Sequence, residues 1–379
     1  MIIAIEATLA QGIATGLGVY VRNLLRVMPR LAPEHTFLLL HANRRWRGPD
    51  FGPNCRPVSY WCGKQSLAIR FRLNRVLRQT GAELFHVTCT TGAPPACCVP
   101  VITTVHDLYP LMAPELCRPA HRWFFRLLWG WTMRSSQRFI ANSEFTATEL
   151  ARLTGLPRDR ITTIPLAADS ERSPPRQMLR QSRPAGLDDL QEPFILCLGA
   201  VEPRKGQLFL AEAWSAALAA TPDLPELVFA GPDRGAGAAL ATRLREPGLR
   251  GRARWLGTVD SATRDWLYAQ ASIFIFPSFY EGFGLPVLEA MHRFLPVLCA
   301  DIPVLREVAG EAALFAAPGD LPAWVAAIRR LAGDPELRLR LRDLGVDREA
   351  QFTWERCAHN TLGAYERMFA IIEGDTPCT

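Results

Sequence analysis

Short apolar runs recur along almost the whole chain, each separated from the next by a helical stretch, and that alternation leaves few folds open. IIAIEA, TFLLLH, LFHVT, VITTVHD, RFIANS and ITTIP read as strands in the first half, with YVRNLLRVMPRL, residues 66–80, RWFFRLLWGWTMRSS and TATELARLT as helices between them. Strands joined through helices at this spacing form parallel βαβ units. The pattern breaks once. Residues 169–193, DSERSPPRQMLRQSRPAGLDDLQEP, are polar, rich in Pro and Arg, and lack apolar periodicity, which marks a linker. The alternation then restarts with strands FILCLGA, ELVFAGP, ARWLGTV, SIFIFP and PVLCA, and with helices QLFLAEAWSAAL, PVLEAMHRF, 320–333 and 335–350. An amphipathic stretch, ERCAHNTLGAYERMFAIIE, reads as a last helix. The expectation is two doubly wound α/β domains, which bind ligands beyond the carboxyl ends of their strands.

At 379 residues the chain is long enough for two domains, and with 49% hydrophobic residues each can bury a core. No apolar run is long enough to span a bilayer, and MIIAIEATLA reads as a first strand and not as a signal peptide. The 10 cysteines have no C-x-x-C spacing and form no zinc pattern, which fits reduced thiols in a cytoplasmic protein. Charge is uneven. Residues 1–170 hold 20 Lys/Arg against 10 Asp/Glu, and the remainder 23 against 27, so +10 and −4 make up the net +6. A basic first half fits an anionic partner, a phosphate or a membrane surface; a merely solvated basic surface fits it too. Basic residues are not interleaved with stacking aromatics on strands, so no nucleic-acid partner is expected.

The most informative stretch is FPSFYEGFGLPVLEAM, residues 276–291. It follows an apolar strand, so it lies where open α/β sheets bind ligands. Gly282 and Gly284 allow a bend and close backbone approach, and Pro286 suits the first turn of a helix. The N–H groups and dipole of such a helix start attract an anion. Glu281 in the loop and Glu289 in the helix bracket that site, and carboxylates accept hydrogen bonds from vicinal hydroxyls. A sugar on one side of a phosphate and a ribose on the other would account for both. Arg204 and Lys205, in AVEPRKGQLFL after strand FILCLGA, add two cations in a βα loop that receives phosphates. Lys205 is one of only two lysines, with Lys64. In the first half, Gly16 and Gly18 in TGLGVYVRNL read as a glycine turn before a helix. Val21 replaces the third glycine of a dinucleotide fingerprint, so that reading is rejected. His106, in VHDLYP, ends an apolar strand, and a structural or a cleft-facing histidine fits equally. NSEFTATEL, with Ser143 and Thr146 ahead of a helix and Glu149 three residues after Thr146, reads as a capping box. RWFFRLLWGWTMR, residues 122–134, fits a core helix with a wet arginine face or a helix resting on lipid.

Together these motifs resemble glycosyltransferase family 4, retaining enzymes of the GT-B fold. The resemblance covers nearly the whole chain and is carried by FPSFYEGFGLPVLEAM, by PVLCADIPVLREVAGEAALFAAPGD and by EPRKG. It implies two Rossmann-like doubly wound domains with an interdomain cleft: an acceptor-binding domain over 1–170, a linker at 171–192, a nucleotide-sugar-binding domain over 193–354, and a helix at 355–379 packing back on the first domain. By position it gives Glu281 the donor-sugar hydroxyls, Glu289 the ribose, and Arg204 and Lys205 the diphosphate. The backbone of Phe283, Gly284 and Leu285 would face sugar and phosphate, His106 the donor sugar, and Gly16 and Gly18 the phosphates and acceptor. TGLGVYVRNLL and EPRKG further resemble bacterial O-antigen and exopolysaccharide mannosyl- and rhamnosyltransferases, which implies a GDP- or TDP-sugar donor and a lipid-linked saccharide acceptor at the inner face of the cytoplasmic membrane. With no D-x-D, no metal and no cofactor are expected. A sugar-nucleotide epimerase of the same shape, or a non-catalytic nucleotide-sugar-binding protein, is the competing reading.

Overall fold

The computed structural model describes residues 1–11, 16–60, 68–117, 119–169 and 183–374. The chain divides into two compact units, Met1–Leu166 with Phe352–Thr379, and Ala167–Gln351. In the first unit seven strands form one parallel sheet: β1 Ile2–Glu6, β2 Thr36–His41, β3 Cys55–Ser59, β4 Leu84–Val87, β5 Val101–Val105, β6 Arg138–Ala141 and β7 Ile161–Thr163, in the order β3-β2-β1-β4-β5-β6-β7. In the second unit β8 Phe194–Leu198, β9 Leu227–Ala230, β10 Ala253–Trp255, β11 Ala271–Phe276, β12 Val297–Ala300 and β13 Ala313–Ala316 follow the order β10-β9-β8-β11-β12-β13. Each order reverses once, between β1 and β4 and between β8 and β11, as in a doubly wound sheet.

The central strands are buried along their whole length, LFHV in β4, VITTV in β5 and LVFA in β9. Parallel strands covered on both faces read as continuous apolar runs, which is why they were visible in the sequence. Two edge strands were not expected. β3, CRPVS, contains Pro57 and an exposed Arg56, and it pairs only with β2, where a residue without N–H is tolerated. β13, ALFA, is short and alanine-rich and pairs only with β12.

Two local expectations change. Gly16 and Gly18 are not a turn ahead of a helix; the helix Gly16–Leu31 begins at Gly16, so both glycines lie in its first turn. The helix Glu144–Thr154 is capped by Ser143, whose hydroxyl accepts from Thr146 N at 3.0 Å, while Glu149 pairs with Arg152 instead. Of the expected linker 171–192, residues 171–182, like Cys62, Lys64 and Cys378, lie outside the described residues; Leu187 and Leu190 are buried. Eight cysteines among the described residues are free thiols.

The last helix, Trp354–Gly374, packs in the first unit against the helix Gly16–Leu31. Tyr365 Oη lies 2.6 Å from His86 Nδ1 in β4; His86 Nε2 lies 2.8 Å from Thr104 Oγ1, and that hydroxyl 3.0 Å from Tyr20 Oη. Burial, with His106 nearby, pushes the His86 imidazole down to about 3, so it is neutral in the native state. An unfolded chain binds that proton near 6.5, so below this value the unfolded state holds more protons and stability falls with pH. The unfolding temperature of the first unit should drop between pH 7 and 5, above the range where carboxylates titrate. A flat profile by differential scanning calorimetry over that interval would contradict the burial of a neutral His86.

Candidate functional site

At the reversal in the second sheet the loops after β8 and β11 leave side by side. After β8 the chain makes one 3-10 turn, Pro203–Lys205, bends at Gly206 with φ 70°, and enters the helix Gln207–Ala220. After β11 it runs through Pro277–Gly284, bends at Gly284 with φ 113°, and enters the helix Leu285–His292 with Pro286 in its first turn. The loops touch through their backbones. Phe279 N donates to Arg204 O at 2.8 Å, and a Cβ on Gly206 would stand 2.3 Å from Pro277 O. Gly206 is therefore required by both its positive φ and the approach of the other loop.

That approach assembles four charges. Lys205 Nζ donates to Glu281 Oε1 at 2.5 Å, and Arg204 Nη1 lies 3.4 Å from Glu281 Oε2 and donates to Tyr280 O at 3.1 Å. Arg204 Nη2 pairs with Glu202 Oε1 at 2.8 Å. The Glu281 side chain is only 9% exposed and that of Lys205 12%. Burial alone would raise the Glu281 carboxyl, but the Lys205 and Arg204 charges outweigh it and hold the group below the usual carboxylate range. Burial lowers the Lys205 ammonium, with Glu281 opposing. At neutral pH Glu281 is ionised, and the 2.5 Å contact is an ion pair. A carboxylate has about four acceptor positions, so Glu281 can keep Lys205 and still accept from a ligand hydroxyl.

Phe283, Gly284 and Leu285 form the start of the helix Leu285–His292, whose first turn closes through Val287 N to Gly284 O at 2.9 Å. Pro286 has no N–H and Val287 N is already used, so what this helix start offers an anion is chiefly its dipole. Arg204, Lys205, Glu281 and this helix start thus come together in one unit.

Glu289 has different neighbours. Its Oε2 accepts from Tyr268 Oη at 3.0 Å, in a pocket shared with Asp169, Arg264 and Arg293. Burial raises its carboxyl, against the opposing pull of Arg264 and Tyr268. The two glutamates are shifted in opposite directions and hold different partners, which suits separate ligands or separate parts of one ligand.

The remaining expected residues lie in the first unit. His106 follows β5, and its Nε2 donates to Thr88 O at 2.9 Å while its ring meets Tyr20 edge-on at 4.8 Å. Burial lowers its imidazole to about 4, so it is a neutral ring at physiological pH. Gly18 is buried and Gly16 exposed at the N-terminus of their helix. Glu202 and Gly206 lie within EPRKG but have no expected task there, and neither Tyr268 nor Arg264 belongs to an expected site motif. The sequence could have revealed their helix, Ser261–Gln270, which Asp260 caps by accepting from Thr263 N at 2.7 Å, but not their place in the site. Among the described residues no group of three or more His, Cys, Asp or Glu is placed to hold a metal ion.

Comparison with known proteins identifies the family. Residues 14–172 match the model described as Glycosyltransferase Family 4, and residues 192–334 that described as Glycosyl transferases group 1. The chain is 34% identical over 268 residues to O-antigen chain mannosyltransferase B of Escherichia coli, covering 70% of each protein. It is 31% identical over 241 residues to D-inositol 3-phosphate glycosyltransferase of Nocardia farcinica, covering 61% of this chain and 52% of that one. Its fold matches Anabaena Alr3699/HepE, solved with UDP and glucose, at a TM-score of 0.71 and 17% identity, over 96% of this chain and 99% of the other.

Proposed function

The chain belongs to glycosyltransferase family 4, and from that premise we propose that it moves a hexose, mannose from GDP-mannose or a related rhamnose, onto a lipid-linked saccharide of O-antigen or exopolysaccharide with retention of anomeric configuration. It is a glycosyltransferase of the two-sheet GT-B kind. The observation that carries the proposal is the meeting of Arg204, Lys205 and Glu281 beside the start of the helix Leu285–His292. Mannose is supported by the O-antigen chain mannosyltransferase relative. The relative that acts on D-inositol 3-phosphate keeps other acceptors in the assay.

In this reading the donor diphosphate lies on Arg204, Lys205 and the helix start, with its sugar hydroxyls on Glu281. The bond between the anomeric carbon and the diphosphate oxygen breaks as the acceptor oxygen bonds the same face of that carbon. The acceptor's proton passes to the departing diphosphate. Charge grows on that oxygen as the bond breaks, and Lys205 and Arg204 stabilise it without a metal. Glu281 acts as a hydroxyl acceptor and not as a nucleophile. His106, being neutral, serves the donor sugar as a hydrogen-bonding ring, and Gly16 and Gly18 belong to the acceptor side.

The partner membrane is proposed from the helix Pro119–Ser135. Phe125, Leu128 and Trp129 are buried, which satisfies the core reading, yet Trp123 is 69% exposed and Phe124 47%, between exposed Arg122 and Arg126. With the positive excess of residues 1–170 this face fits an anionic lipid surface at the cytoplasmic side.

A panel of nucleotide-sugars, assayed in EDTA with lipid-linked and D-inositol 3-phosphate acceptors, should give turnover with GDP-mannose and an α-linked product by NMR. Lys205→Ala should lower kcat about 100-fold or more. Inverted product, a strict requirement for added Mg²⁺ or Mn²⁺, or unchanged turnover in Lys205→Ala would each overturn the corresponding part. Separately, the protein should sediment with phosphatidylglycerol vesicles at low salt, release as salt rises, and lose binding in the Trp123→Ser, Phe124→Ser double variant. Failure to bind at low salt would remove the membrane partner.

A further inference from the structure

Glu289 stands on a short helix with a side chain that has several rotatable bonds, and it shares its pocket with two guanidinium groups, Arg264 and Arg293. Either arginine could bind it and take it away from a ligand. Neither does. Arg264 Nη2 lies 3.1 Å and Arg293 Nη2 3.2 Å from Asp265 Oδ1, so Asp265 holds both cations. Among the described residues no cation lies within ion-pairing distance of Glu289, and its Oε1 accepts no hydrogen bond. What fixes the carboxylate is neutral: Tyr268 Oη, 3.0 Å from Oε2 and 3.5 Å from Pro286 O, gives its one proton to the nearer acceptor. Tyr268 is 1% exposed, and its ring packs against Phe274 at 5.6 Å. Burial raises its hydroxyl well above the ordinary phenol value, so it stays a donor at any working pH.

We propose that Tyr268 is a positioning residue of the nucleotide site: its buried hydroxyl holds Oε2 of Glu289 so that Oε1 is presented to a ribose hydroxyl. The inference rests on Glu289 as the ribose ligand and adds how that ligand is set. Holding one oxygen removes side-chain freedom before the nucleotide arrives, which improves affinity without a new contact to it.

The test uses the full chain, with GDP and UDP and their 2′-deoxy and 3′-deoxy forms as probes, in calorimetric titrations of wild type, Tyr268→Phe and Glu289→Gln. Tyr268→Phe keeps the ring and its packing, and thermal unfolding checks that the fold is retained. It should weaken the ribonucleotide about 3- to 10-fold, the range for ordering one side chain that is no longer held in advance. The loss should vanish for the deoxy form that lacks the hydroxyl held by Oε1. Equal loss for all three forms, or no loss, overturns the positioning role. If Glu289→Gln weakens the ribonucleotide and Tyr268→Phe does not, only Tyr268 is removed. If Glu289→Gln leaves affinity unchanged, the ribose reading itself fails and the inference with it.

Discussion

The pairing of Lys205 with Glu281 is the contact on which the candidate site depends. Both side chains are largely buried, and desolvating two charges costs several kcal/mol each unless geometry and further hydrogen bonds offset it. Here Arg204 and Glu202 extend the pair to two cations and two carboxylates, so the group is balanced in charge. The backbone forces the meeting. Phe279 N on Arg204 O, and Gly206 against Pro277 O, hold the two loops at a separation that only a glycine permits. Removing one partner of such a buried pair typically costs about 3–5 kcal/mol. A ligand that brings its own negative charge can share the two cations.

The same strand ends set the two glutamates apart. Glu281 lies in a cationic environment that keeps it ionised; Glu289 lies where burial raises it, with a neutral donor as its direct partner. Eight positions of sequence separate them, but a bend at Gly284 and half of a short helix intervene, so each meets a different set of side chains. The proposed division of one nucleotide-sugar between the two carboxylates rests on this difference in surroundings. A nucleophile and acid pair would need both groups at one carbon.

Much of this was legible in the order of residues. Buried parallel strands announce themselves as apolar runs, and EPRKG and FPSFYEGFGLP placed the cations and the first carboxylate correctly at the ends of β8 and β11. What was hidden has physical reasons. β3 and β13 are edge strands, half-exposed, short, and in one case interrupted by proline, so they carry weak patterns. The glycines at 16 and 18 sit inside a first helical turn, where glycine is allowed and a turn is not needed. Thr146 looked like a cap because a glutamate follows three residues later, but Ser143 precedes it with extended backbone and takes the bond. Tyr268 was invisible because its partner lies 21 residues further on. A hydrogen bond between helices on either side of a strand has no local signature.

The central claim is that Lys205, set by Glu281, binds the outer phosphate of the donor. Calorimetric comparison of GDP with GMP, and of UDP with UMP, tests it directly, because the paired ligands differ only in that phosphate. In the wild-type protein the diphosphate should bind more tightly than the monophosphate. In Lys205→Met, which keeps the stem and removes the charge, that preference should collapse toward unity while monophosphate affinity is retained, since ribose and base contacts are untouched. An undiminished diphosphate preference in Lys205→Met would contradict the account.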